Sequence, residues 1–462
     1  MSMTLRPYQA TLKTAIYESL RQYQSVLAQL PTGGGKSVVI ADIVADAVRL
    51  KRGVMVLAHR GELIDQISGK LNVRHQVVRA GDEPSPYYDV HVAMVQTMAR
   101  RDQPLVDLII VDEAHHVIAG QYQRIIAECP NAKVIGFTAT PERMDGKGLG
   151  DVFDDLICGP SVRELIDGGW LCDYTPYSTP LDGLDDVKVT AGDYNRKHLA
   201  TLMERSVIYG DLTGTWKALA QGKQTIVFAA SVKLSEDYCR DYNDAGIRAA
   251  HIDGTTDADT RAEIIEQFRR GIITVITNCS LITEGFDVPA CGCVQLVRPT
   301  RSLALYLQMV GRAMRPHDGT NAIILDHGEN ILRHGFPDDE RQWELATTRK
   351  RRPRTVKLDV EPIPLPEATR KELHHDRTVQ LVRVEQPDAP PPPQLPPELQ
   401  ELIDIVDKNG YTNSRGKPDY FWAYKRWLER GGQADQQTLR LFAKKAGYHH
   451  MWVKHQMGGP RP

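Results

Sequence analysis

The chain has 462 residues, 41% hydrophobic and 25% charged, with 57 Lys plus Arg against 59 Asp plus Glu and a net charge of −2. This composition excludes collagen-like and wholly disordered chains, and the length suggests about three folding units. An almost neutral overall field means that any polyanion must be met by a local patch. No apolar run approaches the roughly eighteen residues that a membrane span needs. The charged start, Met1 to Tyr17, has no apolar signal core. Seven cysteines, an odd number, suit free thiols in a reducing compartment, so a cytosolic protein is expected.

In chain order, short β-branched runs predict buried strands at Val26–Leu30, Val54–Ala58, Asp89–Val95, Leu108–Val111 and Val134–Phe137. Amphipathic helices such as Val38–Val48 and Leu63–Leu71 lie between them. A second series follows at Thr225–Phe228, Ala249–Ile252, Thr274–Thr277, Val294–Val297 and Ala322–Asp326. This alternation predicts an α/β protein with two parallel-sheet lobes, residues 1–165 and 212–345, separated by a connector at 166–211. Composition then shifts. Basic Arg349–Arg354 and the four prolines Pro390 to Pro393 mark a linker over 346–397. Residues 398–462 regain apolar pattern and hold three of the six tryptophans, which predicts a small helical C-terminal domain.

Leu30-Pro-Thr-Gly-Gly-Gly-Lys-Ser37 falls between a predicted strand and a predicted helix, the context of a phosphate loop. Gly33, Gly34 and Gly35 let backbone N–H groups converge on anionic oxygens at a helix start, with Pro31 and Thr32 completing the expected nucleotide-binding loop. Lys36 is expected to bridge the β- and γ-phosphates and Ser37 to offer its hydroxyl to Mg²⁺. Leu108-Ile-Ile-Val-Asp-Glu-Ala-His115 is a buried strand ending in two carboxylates. Asp112 is expected to hold Mg²⁺, and Glu113 to orient or deprotonate the attacking water. The pair of motifs in one α/β lobe points to a nucleoside triphosphatase.

With these motifs in this order, residues 1 to about 345 resemble superfamily 2 helicases of the DEAD/DEAH-box type, near the XPB-like and UvsW-like DNA motors and phage helicases. The resemblance implies two RecA-like lobes, ATP and Mg²⁺ as cofactors, and a nucleic-acid track. Leu5-Arg-Pro-Tyr-Gln9 resembles the adenine-reading motif, with Arg6 and Gln9 at the base. His59 and Arg60, then Gln96 and Thr97, resemble nucleic-acid motifs that hold phosphates without reading sequence. Gly136 to Gly146 resembles the motif coupling the ATP site to the strand, with Thr138, Thr140 and Arg143 as candidate contacts. In the second lobe Ser231 and Thr277 resemble strand-contacting positions, and Gly285 and Asp287 resemble the motif facing the nucleotide. Gln308, Arg312 and Arg315 fall at i, i+4 and i+7, which predicts one face of one helix carrying catalytic guanidiniums to the γ-phosphate.

Residues 397–462 carry 11 basic and 7 acidic side chains, a local excess of +4, and Phe421-Trp-Ala-Tyr-Lys-Arg-Trp427 interleaves aromatics with cations. That stretch reads first as the core of a small domain and second as a base-stacking surface. The expected function is an ATP-dependent helicase or translocase on single-stranded, forked or branched DNA, in the host cytoplasm if phage-encoded. The alternatives are an RNA helicase, or a nucleic-acid scaffold whose ATP cycle loads a protein partner through the C-terminal domain.

Overall fold

The computed structural model describes residues 4–117, 120–142, 148–190, 192–205, 212–279, 281, 291–316, 319, 321–345, 381–384, 395–409, 419–430, 438–439, 442 and 445. They fall in two compact units, 1–385 and 386–462. Among the described residues no helix is long and apolar enough to cross a membrane.

The first lobe is built on β1 (Ser25–Gln29), β2 (Val54–Ala58), β3 (Gln76–Val78), β4 (Val90–Met94), β5 (Leu108–Val111), β6 (Lys133–Thr138) and β7 (Asp155–Cys158). These form one sheet in the order β3-β4-β2-β5-β6-β1-β7, with every pairing parallel. β1 and β2 are buried at every position, as expected for strands covered by helices on both faces. The helix Lys36–Arg49 buries Val39, Ile40, Ile43, Val44 and Ala47, the spacing of one apolar helical stripe. On the opposite face Leu27, Met55, Leu57, Ile109 and Phe153 form a second core. Gly136 in β6 is required there, because a Cβ would lie 2.4 Å from Phe153 Cζ and 2.8 Å from Ala114 Cβ. Gly136→Ala is expected to destabilise the protein by about 1–3 kcal/mol through overpacking. Calorimetry reads this as a lowered Tm, and an unchanged Tm would show that Phe153 yields freely.

The second lobe comprises β8 (Tyr174–Ser178), β11 (Thr225–Ala229), β12 (Ala249–Ile252), β13 (Val275–Asn278), β14 (Cys293–Val297), β15 (Ala322–Asp326) and β16 (Val382–Arg383). A small hairpin, β9 (Val189–Thr190) and β10 (Asp193–Tyr194), precedes β11. The sheet order is β12-β13-β11-β14-β15-β8-β16. Among the described residues of this sheet, β16 alone runs antiparallel to its neighbour. Two segments differ from the sequence reading. Tyr174–Ser178, expected in the connector, is an inner strand paired with β15, and Val382–Arg383, expected in the linker, caps the sheet edge. Pro176 hid the first, since proline removes a ladder donor and argues against an inner strand.

Ser178 Oγ donates to Asp326 Oδ2 (2.9 Å), and Asn330 Nδ2 donates to Asp326 Oδ1 (2.9 Å), fixing β15 to the helix Asn330–His334. Next to Asp326, burial pushes His327 down from 6.5 to about 3. The unfolded chain therefore binds the extra proton first as the pH falls, so stability is full above 6.5 and is lost progressively towards pH 3. His327→Asn is expected to lose less stability between pH 7 and about 5, read as urea midpoints. Equal losses in the two proteins would show that His327 contributes nothing to acid sensitivity.

In the second unit the helices Pro397–Asn409 and Tyr420–Glu429 pack through Leu399, Leu402, Ile403, Val406, Tyr424 and Trp427, joined by Leu439 and Phe442. Tyr424 and Trp427 are therefore core residues, while Trp422 stays 40% exposed.

Candidate active site and nucleic-acid face

In a parallel sheet all strands end on the same edge, so the segments after β1, β2, β4, β5 and β6 gather there. The phosphate loop leaves β1 and enters the helix Lys36–Arg49. Gly33 (φ 85°) and Gly35 (φ 84°) take the left-handed conformation, and Gly34 N donates to Pro31 O at 3.0 Å. A Cβ on Gly35 would lie 2.4 Å from Gln9 Nε2. Gln9 is buried and its amide is engaged at both ends: Nε2 donates to Gly34 O (3.0 Å), and Oε1 accepts from Arg6 N (3.0 Å). Tyr8 Oη donates to the same carbonyl at 2.9 Å. In this structure Gln9 braces the phosphate loop instead of presenting both groups to a base.

β5 delivers Asp112 and Glu113 opposite that loop, both buried. Glu113 sits at φ 48°, ψ 55°, a left-handed backbone that costs a non-glycine residue roughly 1–2 kcal/mol. Lys36 Nζ lies 3.4 Å from Glu113 Oε1, and His115 Nδ1 lies 3.4 Å from Glu113 Oε2. Burial, reinforced by the Glu113 charge and opposed by Lys36, pushes the Asp112 carboxyl up to about 6. Thr32 Oγ1, Glu113 Oε2 and Gln308 Oε1 are buried without a hydrogen-bond partner among the described residues. They come from the phosphate loop, the carboxylate turn and the second lobe, and a bound triphosphate with its attacking water would satisfy such a set. The hydroxyl of Ser37 and the carboxylate of Asp112 are hard oxygen donors of the kind Mg²⁺ takes. Among the described residues no cluster of three or more His, Cys, Asp or Glu forms a metal cage.

The second lobe reaches the same loop, but not on one continuous helix. The helix Leu303–Val310, capped by Ser302 Oγ accepting from Leu305 N (3.2 Å), ends at Gly311. Beyond it the chain tightens, with Arg312 N donating to Met309 O (3.3 Å) and Ala313 N to Val310 O (3.0 Å). Gln308, Arg312 and Arg315 therefore do not share a helix face, which corrects the sequence expectation. The segment touches the rest of the seam: a Cβ on Gly311 would fall 2.5 Å from Thr32 Cγ2, and Cys172 N donates to Met314 O at 2.9 Å. The tightened turn still brings Arg315 to the phosphate loop, where its Cγ lies 3.9 Å from the position of a Cβ on Gly33. Gln308 and Arg312 are buried.

Sequence reasoning missed the crossover segment that completes this seam. Leu171 Cδ2 lies 2.8 Å from a Cβ position on Gly33. The Arg6 guanidinium stands 4.7 Å over the Trp170 ring, with Tyr8 at 5.9 Å from it. Cys172 Sγ donates to Ala313 O at 3.3 Å. A tryptophan in a glycine-containing connector was the one available signal.

His59 and Arg60 follow β2, and Gln96 and Thr97 lie on the short helix Val95–Met98 after β4; Gln96 Nε2 donates to His59 O at 3.2 Å. Nearby, Glu62 Oε1 accepts from Arg261 Nη1 at 3.1 Å, an ion pair across the two lobes. Three expected strand contacts are corrected. Thr138 and Thr140 are buried, with Thr138 Oγ1 donating to Thr140 O (2.9 Å) and lying 3.2 Å from His115 Nδ1. Thr277 is buried and donates to Ser235 O at 2.8 Å. A hydroxyl without exposure cannot touch a phosphate backbone. Ser231 Oγ caps the helix Val232–Asp244 by accepting from Leu234 N. Arg143, Gly285 and Asp287 lie outside the described residues.

Comparison with known proteins agrees with this geometry. Residues 2–143 match the family model described as Type III restriction enzyme, res subunit, and residues 210–317 match the helicase conserved C-terminal domain. A 51.5 kDa protein of a Lactococcus phage is 38% identical over 320 residues, 69% of this chain and 69% of its own length. The Saccharomyces cerevisiae protein carrying the name ATP-dependent helicase IRC3 is 33% identical over 341 residues, 68% of this chain but 50% of that protein. The solved Type ISP restriction-modification enzyme LlaBIII shares the fold at a TM-score of 0.52 and 17% identity, over 70% of this chain and 28% of that one. With segments of both lobes meeting at one glycine loop and the two family models matched in order, the chain belongs to the superfamily 2 helicases, ATP-dependent enzymes of two RecA-like lobes.

Proposed function

We propose that this chain is a DNA motor that hydrolyses ATP between its lobes and uses the cycle to move along or remodel DNA. The observation that carries the reading is the approach of Arg315 and Gly311 from the second lobe to Gly33 and Thr32 of the phosphate loop. Lys36 and the loop amides hold the triphosphate, Glu113 orients the attacking water, and Arg312 and Arg315 neutralise charge that develops on the transferred phosphoryl group. Mg²⁺ held by Ser37 and Asp112 would supply further charge neutralisation at the phosphates. Because the guanidiniums belong to the far lobe, hydrolysis demands a closed cleft, and each cycle shifts one lobe's grip on the strand relative to the other's. Grip through Arg60, Gln96 and Thr97 falls on the phosphate backbone, so little sequence preference and marked salt sensitivity are expected. The match of lobe one to a restriction subunit supports DNA as the track.

The test compares ATPase stimulation by DNA and RNA of matched length, with strand displacement on forks. Stronger stimulation by DNA together with displacement or translocation is expected. Equal or stronger stimulation by RNA would reassign the track. Stimulation without movement would favour the scaffold reading.

A further inference from the structure

We propose that His116 is a positioning residue through which nucleic acid on the loops after β2 and β4 sets the aim of Glu113. The inference rests on the motor reading above and names a residue that the ATP chemistry itself does not call for. Three imidazoles stand in a row between the two sites. The His115 and His116 ring centroids are 4.2 Å apart at 41°, and those of His116 and His59 are 4.1 Å apart at 48°. At one end His115 Nδ1 lies 3.4 Å from Glu113 Oε2 and 3.2 Å from Thr138 Oγ1. At the other end the backbone carbonyl of His59 accepts from Gln96 Nε2, so both phosphate-gripping loops meet at His59.

Rigid rings in contact pass on a displacement, because a packed interior shifts between discrete arrangements and does not deform smoothly. Glu113 is well placed to respond. Its backbone is held in the left-handed region, its Oε2 has no hydrogen-bond partner among the described residues, and its Oε1 leans towards Lys36. A small push through the stack re-aims the carboxylate from the lysine towards the attacking water. The stack works by shape, so an aromatic ring at 116 suffices and a proton on it is not required.

The test measures ATPase of the full chain with and without single-stranded DNA for wild type, His116→Leu and His116→Phe. Leucine keeps the bulk without the planar ring. His116→Leu is expected to retain basal hydrolysis within about twofold and to lose at least about fivefold of the DNA-stimulated kcat, within the usual range of coupling between sites. The DNA concentration for half-maximal stimulation stays unchanged, and His116→Phe keeps most of the stimulation. Wild-type stimulation in His116→Leu would overturn the proposal. So would an equal loss of basal and stimulated rates in both variants, the mark of a merely structural role. Failure of wild type itself to respond to DNA or RNA would overturn the motor reading instead.

Discussion

Arg315→Ala is expected to lower kcat for ATP hydrolysis by roughly 10³–10⁵-fold, the usual contribution of an arginine finger. ATP affinity should stay within a few-fold, because the phosphate loop, Lys36 and the Gln9 and Tyr8 braces all belong to the first lobe. In the proposed mechanism the guanidinium acts where charge develops, so its loss is expected to fall on kcat and spare ground-state binding. Arg315→Lys is not a rescue, since an ammonium lacks the planar fork that spans two phosphate oxygens. Steady-state kcat beside equilibrium binding of a fluorescent ATP analogue checks this. A fall in affinity matching the fall in rate would place Arg315 in binding alone.

Glu113→Gln is expected to cost roughly 10²–10⁴-fold in kcat, because in the proposed mechanism it removes the base that orients the water. Nucleotide binding should be retained or tightened. Lys36 Nζ now faces Glu113 Oε1 at 3.4 Å, and removing that negative charge leaves the ammonium wholly to the phosphates. Lys36→Ala is the contrasting variant, expected to lose both binding and hydrolysis. Single-turnover hydrolysis at saturating ATP, read with nucleotide Kd, separates the two; a Glu113→Gln protein that turns over normally would remove Glu113 from the mechanism.

The parallel strands were legible because buried β-branched runs such as Leu108–Val111 and Val294–Val297 have few alternatives to a covered sheet. β3, β7 and β8 were not: β3 has three residues, β7 four, and β8 carries Pro176 and depends on β15 for its place. The glycine loop and the Asp112–Glu113 pair could be read from local spacing, since strand, loop and helix lie within one short stretch. The arginine segment lies beside the phosphate loop, but not as the single helix that its spacing suggested. Residue 311 is a glycine because Thr32, almost 280 positions earlier, occupies the space a side chain would need. No local pattern encodes that contact. The same limit applies to Thr138 and Thr277, whose motif positions suggested strand contacts while tertiary packing turned both hydroxyls inward. Trp170 and Leu171 escaped notice because their role exists only once the two lobes meet.

The most direct measurement is a crystal structure of the full chain with ADP, Mg²⁺ and aluminium fluoride bound in place of the reacting phosphoryl group. The expected result is a closed seam with the Arg312 and Arg315 guanidiniums within hydrogen-bond distance of the fluoride and Glu113 on the in-line water. A fully occupied site with both guanidiniums turned to solvent, and the first lobe alone enclosing the fluoride, would contradict catalysis shared between the lobes.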